Sequence, residues 1–164
     1  MGFQDIEKFH PNFSFASQNL RSLNISTKNK ITKEKIYAVT KENADIIFIC
    51  DLKLNSSIQK AAVHDVEKYF FLNGYKLYHN SRNNTRGVGI LIHRKNQHTV
   101  TNRMEDLDGN IIVLELDFDG KKLAGSVYGP NQNDNMFFVN LNNFLSRING
   151  KGVVLGGGLE PYIR

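Results

Sequence analysis

Three apolar runs in this sequence end on polar side chains, and those side chains are where chemistry could be done. "ADIIFICDL" is a continuous apolar run that stops on Asp51. "NFSFASQNL" alternates Phe13 and Phe15 with polar neighbours before reaching Asn19, and "KKLAGSVYGPN" runs into a turn bearing Tyr128 and Asn131. A fourth run, Val153-Val154-Leu155, leads into Gly156-Gly157-Gly158, where glycines permit close approach of a backbone or a ligand, yet no reactive side chain follows. One carboxylate, two carboxamides and a phenol are groups that hold polar or charged ligands. Each also has an ordinary reading: Asn19 as a turn stabiliser, Asp51 as a solvated strand-end carboxylate, Pro130-Asn131 as turn chemistry. Only a fold that gathers the strand ends makes them a site.

The elements that would do so are legible in the periodicity. "ADIIFICDL" reads as a strand covered on both faces, and "NFSFASQNL" as a half-buried strand opening into a polar turn at "NLRSLN". "KEKIYAVTKENA" reads as a short helix. "SIQKAAVHDVEKYFFLNG" places Ala62, Val66, Tyr69 and Phe70 on one stripe, with Ser56 or Ser57 as cap and Asn73-Gly74 as stop. Strands follow in "GYKLYHN", "GVGILIHR" and "HTVTNR", and Asp119-Gly120 between two apolar alternations predicts a hairpin. A last helix, from near Asp134 to Gly150, carries Phe137, Leu141, Phe144, Leu145 and Ile148 on one face and leads into a terminal strand. The pattern is that of one mixed α/β domain over residues 1–164.

Composition bounds the function. At 164 residues and 40% hydrophobic content the chain can bury a real core, and a net charge of +5 with pI near 9.3 favours an anionic partner, nucleic acid first. Cys50 is the only cysteine and sits in an apolar run, which excludes a disulfide framework and a thiolate zinc site and suits a reduced compartment. The N-x-[ST] triplets at Asn12, Asn24, Asn55 and Asn83 matter only in a secreted chain, and no signal peptide or membrane-length apolar run is evident. The expectation is an intracellular protein, nuclear or cytoplasmic, without membrane attachment.

Taken in order, these motifs resemble the endonuclease/exonuclease/phosphatase superfamily, with "NLRSLN", "CDLKLNS" and "YGPNQND" closest to the endonuclease domains of non-LTR retrotransposons. The resemblance implies the N-terminal part of a four-layer α/β sandwich, a mixed sheet with helices on its outer face and an incomplete second sheet that could leave apolar surface for self-association. It implies a Mg²⁺-dependent DNA endonuclease, with Mn²⁺ as an alternative ion. Asn19 falls at the metal- and phosphate-site asparagine, Asp51 at the metal ligand that is normally Glu, and Tyr128 and Asn131 in the catalytic Tyr-x-Pro-Asn motif. Lys53 and the loop "NSRNNTRG", with Arg82, Asn83 and Arg86, take the side where the family holds DNA. "VVLGGGLE" is similar to the strand that ends in Gly-Gly-Asp-x-Asn, but Gly158 stands where the Asp belongs and Glu160 where the Asn belongs. The match covers about the first two thirds of a family domain, so the expectation is a truncated, inactive domain of retroelement origin. The alternatives are a non-catalytic nucleic-acid-binding module using Lys53, Arg82, Arg86, Arg94 and Lys95, and a nucleotide-binding α/β domain using Gly156-Gly157-Gly158 as a phosphate loop.

Overall fold

An unbroken apolar strand needs cover on both faces, and in the computed structural model of this chain β2 (Ile46–Cys50) has it, with all five residues buried. The structure describes residues 13–23, 30–82, 84–127, 135–148 and 152–157. β2 is central in a four-stranded mixed sheet with β1 (Phe15–Asn19), β3 (Tyr75–Asn80) and β4 (Val88–His93), in the order β1-β2-β4-β3. β1 runs parallel to β2, while β4 is antiparallel to both β2 and β3. The register sets Asn19 opposite Cys50, Cys50 opposite Val88 and Asn80 opposite Val88, so β1, β2 and β3 all finish at one end of the sheet.

The two faces of this sheet are sorted by the two-residue alternation of strands. Ile47, Ile49, Leu77 and Leu91 point outward to Ile36 and Val39 of α1 (Lys30–Thr40) and Val63, Val66 and Phe70 of α2 (Lys60–Leu72). Ile46, Phe48, Cys50, Val88, Ile90 and Ile92 point inward and meet Ile112, Leu114, Leu116 and Phe118 of β6 (Ile111–Phe118). β6 belongs to a second sheet of order β5-β6-β7-β8, formed with β5 (Thr99–Glu105), β7 (Lys121–Val127) and β8 (Gly152–Val153). The other face of β6, Ile111 and Val113, packs with Met104 on Phe137, Leu141, Phe144 and Ile148 along α3 (Asn135–Ser146) and just past its end. The layers are helix, sheet, sheet, helix, which is the expected sandwich.

Local chemistry refines three expectations. α2 begins at Lys60, beyond Ser56 and Ser57, because the Asn55 side chain captures that turn: its Oδ1 accepts the N–H groups of Ser57 and Ile58, both at 3.2 Å, and the Ser57 hydroxyl at 2.7 Å. Gln59 is then the cap residue and makes no side-chain capping bond. The buried stripe is Val63, Val66 and Phe70, with Tyr69 partly buried beside it and Ala62 also at its margin. The terminal strand is short: only Gly152 and Val153 pair, parallel to Leu123 and Ala124. The hairpin forms as expected, with Asp119 (φ 56°) and Gly120 (φ 86°) both left-handed, the backbone of a type I′ turn.

The inner face of the first sheet is not left bare. The inward side chains of β2 and β4 are at most 3% exposed, because β6 lies across them, and Phe15 and Tyr78 at the flanking strands are partly buried against the same cluster. The large apolar side chains left open include Met136, Phe138 and Val139 on the outer side of α3, and Val153 and Leu155 around β8. Asp134 and Gly150, the expected bounds of the last helix, lie outside the described residues.

Candidate active site

The segments that follow β1 and β2 do not diverge as ordinary loops. The ladder continues past the strand ends, with N–H groups of Leu20, Ser22 and Leu23 donating to the carbonyls of Cys50, Asp51 and Leu52 at 3.0, 2.8 and 3.0 Å. On the far side Leu52 and Lys53 donate to the carbonyls of Gly87 and Arg86 at 3.2 and 3.1 Å. In sequence terms this is the work of Leu20-x-x-Leu23 and Leu52-x-Leu54, whose side chains are no more than 4% exposed in the outer core. Burying those leucines turns the residues between them outward. Arg21 (φ 49°), Ser22 (φ 73°), Asp51 (φ 58°) and Lys53 (φ 53°) take the left-handed conformation, which costs a non-glycine residue roughly 1–3 kcal/mol. They are four of the six non-glycine residues with positive φ among those described. Lys35 Nζ completes the arrangement by donating to the carbonyls of Arg21 and Ser22 at 3.1 and 2.6 Å.

Asn19 and Asp51 therefore stand side by side at the ends of two adjacent parallel strands. Asn19 is exposed, and its Oδ1 accepts the Arg21 N–H at 2.9 Å, an Asx turn. The Asp51 side chain is 14% exposed and lies 3.6 Å from Lys53 Nζ, which is 39% exposed. Gly87 immediately precedes β4 at the same end, and a Cβ there would sit 3.0 Å from Leu52 and 3.1 Å from Ser81, so the loop closes tightly over the Asp51 segment. Arg82 and Arg86 are brought to this end with it. Arg82 is already engaged, donating to Asn80 Oδ1 at 3.1 Å and to Glu105 Oε1 at 2.9 Å. Arg94 and Lys95 are not part of this surface. They follow β4 at the opposite end of the sheet, where Arg94 N–H bonds the Gly74 carbonyl at 2.8 Å and Lys95 Nζ pairs with Asp45 at 3.1 Å.

The glycine run has a structural answer in part. A Cβ on Gly156 would fall 2.3 to 2.6 Å from atoms of the buried Phe48 side chain, so only glycine lets β8's continuation cross the inner face of β2. The N–H of Gly157 then reaches the Ser17 hydroxyl of β1 at 2.9 Å. The chain thus arrives at the first sheet two residues before Asn19. Tyr128, Asn131, Asn83, Gly158 and Glu160 lie outside the described residues.

Two groups escaped the sequence reading because their members are far apart in the chain. Asn80 is buried at the end of β3 and its Nδ2 donates to the Asp106 carbonyl, the Asp106 carboxylate and the Ile111 carbonyl at 2.9, 3.1 and 2.8 Å, tying the sheets together beneath Arg82. Burial raises the Asp106 carboxyl, opposed by N–H groups of Ile111 and Asn110. Beside it a polar cleft of about 360 Å³ is lined by His79, Arg82, Arg103, Glu105 and Glu67 among others. The arginines there are matched, Arg82 and Arg103 both by Glu105, and the His79 ring hydrogen-bonds with Glu67 at 3.0 Å.

Among the described residues no group of three or more His, Cys, Asp or Glu could hold a metal ion. Asp51 is one carboxylate with an ammonium beside it, and the Asn19 oxygen already accepts a backbone bond. Magnesium is commonly held by one or two carboxylates, waters and substrate phosphate. The described donors meet the lower limit of that set and do not make a tight site.

Solved structures share this arrangement of strands. The 3′ phosphatase NExo from Neisseria, bound to product DNA hairpin, superposes with a TM-score of 0.60 at 18% identity over 88% of this chain and 56% of that one. The AP endonuclease LMAP from Leishmania major gives 0.58 at 15% identity over 93% and 57%, and humanized D. rerio TDP2 gives 0.56 at 16% over 88% and 65%. The fold is that of the endonuclease/exonuclease/phosphatase superfamily. This chain matches its N-terminal part and spans 56% to 65% of the length of these three structures. No family model and no curated protein matches the sequence. At such identities the likeness shows the fold alone. No helix among the described residues is long and apolar enough to cross a membrane.

Proposed function

We propose that this chain is an endonuclease-type phosphodiesterase domain of retroelement origin that engages DNA at the ends of β1, β2 and β3 and does not cleave it. The observation that supports the reading best is the strained, doubly tethered pair of segments around Asn19 and Asp51. Left-handed non-glycine residues persist where surrounding structure over-determines them, and they cluster at functional sites. Lys53, Arg82 and Arg86 supply positive charge at the same end for the DNA backbone. Tyr128 and Asn131 belong to the same site by their motif.

When bound, a divalent ion polarises the phosphate and helps generate hydroxide; Asp51 is the carboxylate proposed to hold Mg²⁺ or Mn²⁺, weakly, since Lys53 competes for it. Asn19 positions phosphate, and the loop arginines hold the strand. What fails is water activation, because Gly158 and Glu160 replace the family's Asp and Asn. Ground-state binding without groups that act in the transition state leaves little rate. The test is plasmid nicking in Mg²⁺ or Mn²⁺, with Asp51→Ala and EDTA controls. No nicking is expected; nicking abolished by both controls would overturn the inactive reading and leave the site intact. Retention of the same DNA affinity by an Arg82→Ala/Arg86→Ala variant would remove the proposed binding face.

A further inference from the structure

A second surface with nucleic-acid chemistry lies at the opposite end of the first sheet. The turn after β4 and the end of α2 form a groove of about 270 Å³, lined by Phe71, Lys76, Arg94, Asn96, Gln97 and His98 together with Ile92. Its lining includes two cations and no carboxylate. Phe71 is 46% exposed, and the Arg94 guanidinium carbon stands over its ring, 4.0 Å from the centroid. Lys76 Nζ stands 5.1 Å over the Tyr78 ring. Neither cation pairs with a carboxylate among the described residues. His98 is fixed through both ring nitrogens, to Tyr78 Oη at 2.8 Å and the Asn96 carbonyl at 2.9 Å, so this wall is rigid.

We infer that this groove binds single-stranded nucleic acid, a base stacking on the Phe71–Arg94 pair while Lys76 and Arg94 neutralise the adjoining phosphates. Planar guanidinium on an aromatic ring is a sequence-tolerant platform for bases, and unpaired cations beside it suit the backbone. A duplex keeps its bases stacked inside and cannot use such a platform. The Gln97 amide, exposed beside it, adds hydrogen-bonding groups for a base edge. The groove is separated from Asn19 and Asp51 by the length of β2 and β4, so one protein could hold duplex at one end and a displaced strand at the other.

The experiment measures fluorescence anisotropy of a short labelled oligothymidylate, and of a duplex of equal length, over a salt series. Variants are Lys76→Glu/Arg94→Glu, Phe71→Ala and Arg94→Lys, in the native chain and in the Arg82→Ala/Arg86→Ala background. Losing one stacking contact is expected to weaken single-strand binding about fivefold or more. The double charge reversal should also lower the salt slope by about 1.4, at roughly 0.7 per phosphate, in both backgrounds. Arg94→Lys should keep the slope and lose affinity. Duplex affinity should stay unchanged. Equal losses for duplex and single strand, or full affinity in Arg94→Lys, would overturn the stacking site, as would unaltered single-strand binding by variants whose thermal unfolding is native. Because the strand-end variant is carried in parallel, failure here and failure of the other face are told apart.

Discussion

Asp45 shows how one side chain secures a sheet. Its Oδ2 accepts the Ser14 N–H at 2.7 Å and hydroxyl at 3.0 Å, and its Oδ1 accepts the Asn96 amide at 3.0 Å and pairs with Lys95. Burial alone would raise this carboxyl, but the bonds from Asn96, Ser14 and Lys95 outweigh it and hold it at about 2, below its ordinary 3.8. A depressed folded-state pKa gives stability that is fully present above the ordinary value and lost as pH falls toward 2. Asp45→Asn is expected to cost about 2 kcal/mol at neutral pH and to flatten the stability profile between roughly pH 4 and 2, measured by urea unfolding across that range. At Gly156 the constraint is space. Gly156→Ala puts a methyl within 2.6 Å of Phe48, a side chain only 3% exposed, so a loss of about 1–3 kcal/mol is expected as a shifted urea midpoint with an unchanged slope.

At the scale of elements, the β6–β7 hairpin is set by its turn. Asp119 and Gly120 both need positive φ, and Asp117 Oδ1 accepts the Gly120 N–H at 2.6 Å. Gly120→Ala should therefore destabilise by about 1 kcal/mol, although a Cβ there meets nothing within 4 Å. Thermal unfolding of that variant separates conformational strain from crowding. The types and order of helices and strands are readable from apolar spacing because periodicity reports burial directly. The start of α2 is not, because Asn55 and the serines after it all compete for the same backbone donors, and only the geometry chooses Asn55.

For the whole molecule, charge and layering decide behaviour. Cations stand at both ends of the first sheet, Lys53 and Arg82 at one and Lys76 and Arg94 at the other, so salt dependence separates the surfaces that a single affinity would merge. If Lys53, Arg82 and Arg86 each neutralise a phosphate, duplex affinity should fall with a log–log slope near −2.7, and Arg82→Ala/Arg86→Ala should bring it to about −0.9. The second sheet covers the first, so the inner face is closed to association. The chain is expected not to bind a hydrophobic dye through that face, and any dye signal should be reduced by Phe138→Ser on α3 and kept with Ile90→Val in the core.

The sequence by itself determined the element types, the doubly covered β2, the Asp119-Gly120 hairpin and the polar residues placed at strand ends, because those follow from two-residue and helical periodicities and from turn chemistry within a few residues. Leu20-x-x-Leu23 and Leu52-x-Leu54 were visible as text, but their effect was not: only tertiary burial of the four leucines forces Arg21, Ser22, Asp51 and Lys53 into left-handed backbone and sets Asn19 beside Asp51. The separation of Arg82 and Arg86 from Arg94 and Lys95 was likewise decided in three dimensions. Residues 82 and 94 are close in sequence, yet β4 lies between them, and an extended strand of six residues carries its ends about 20 Å apart.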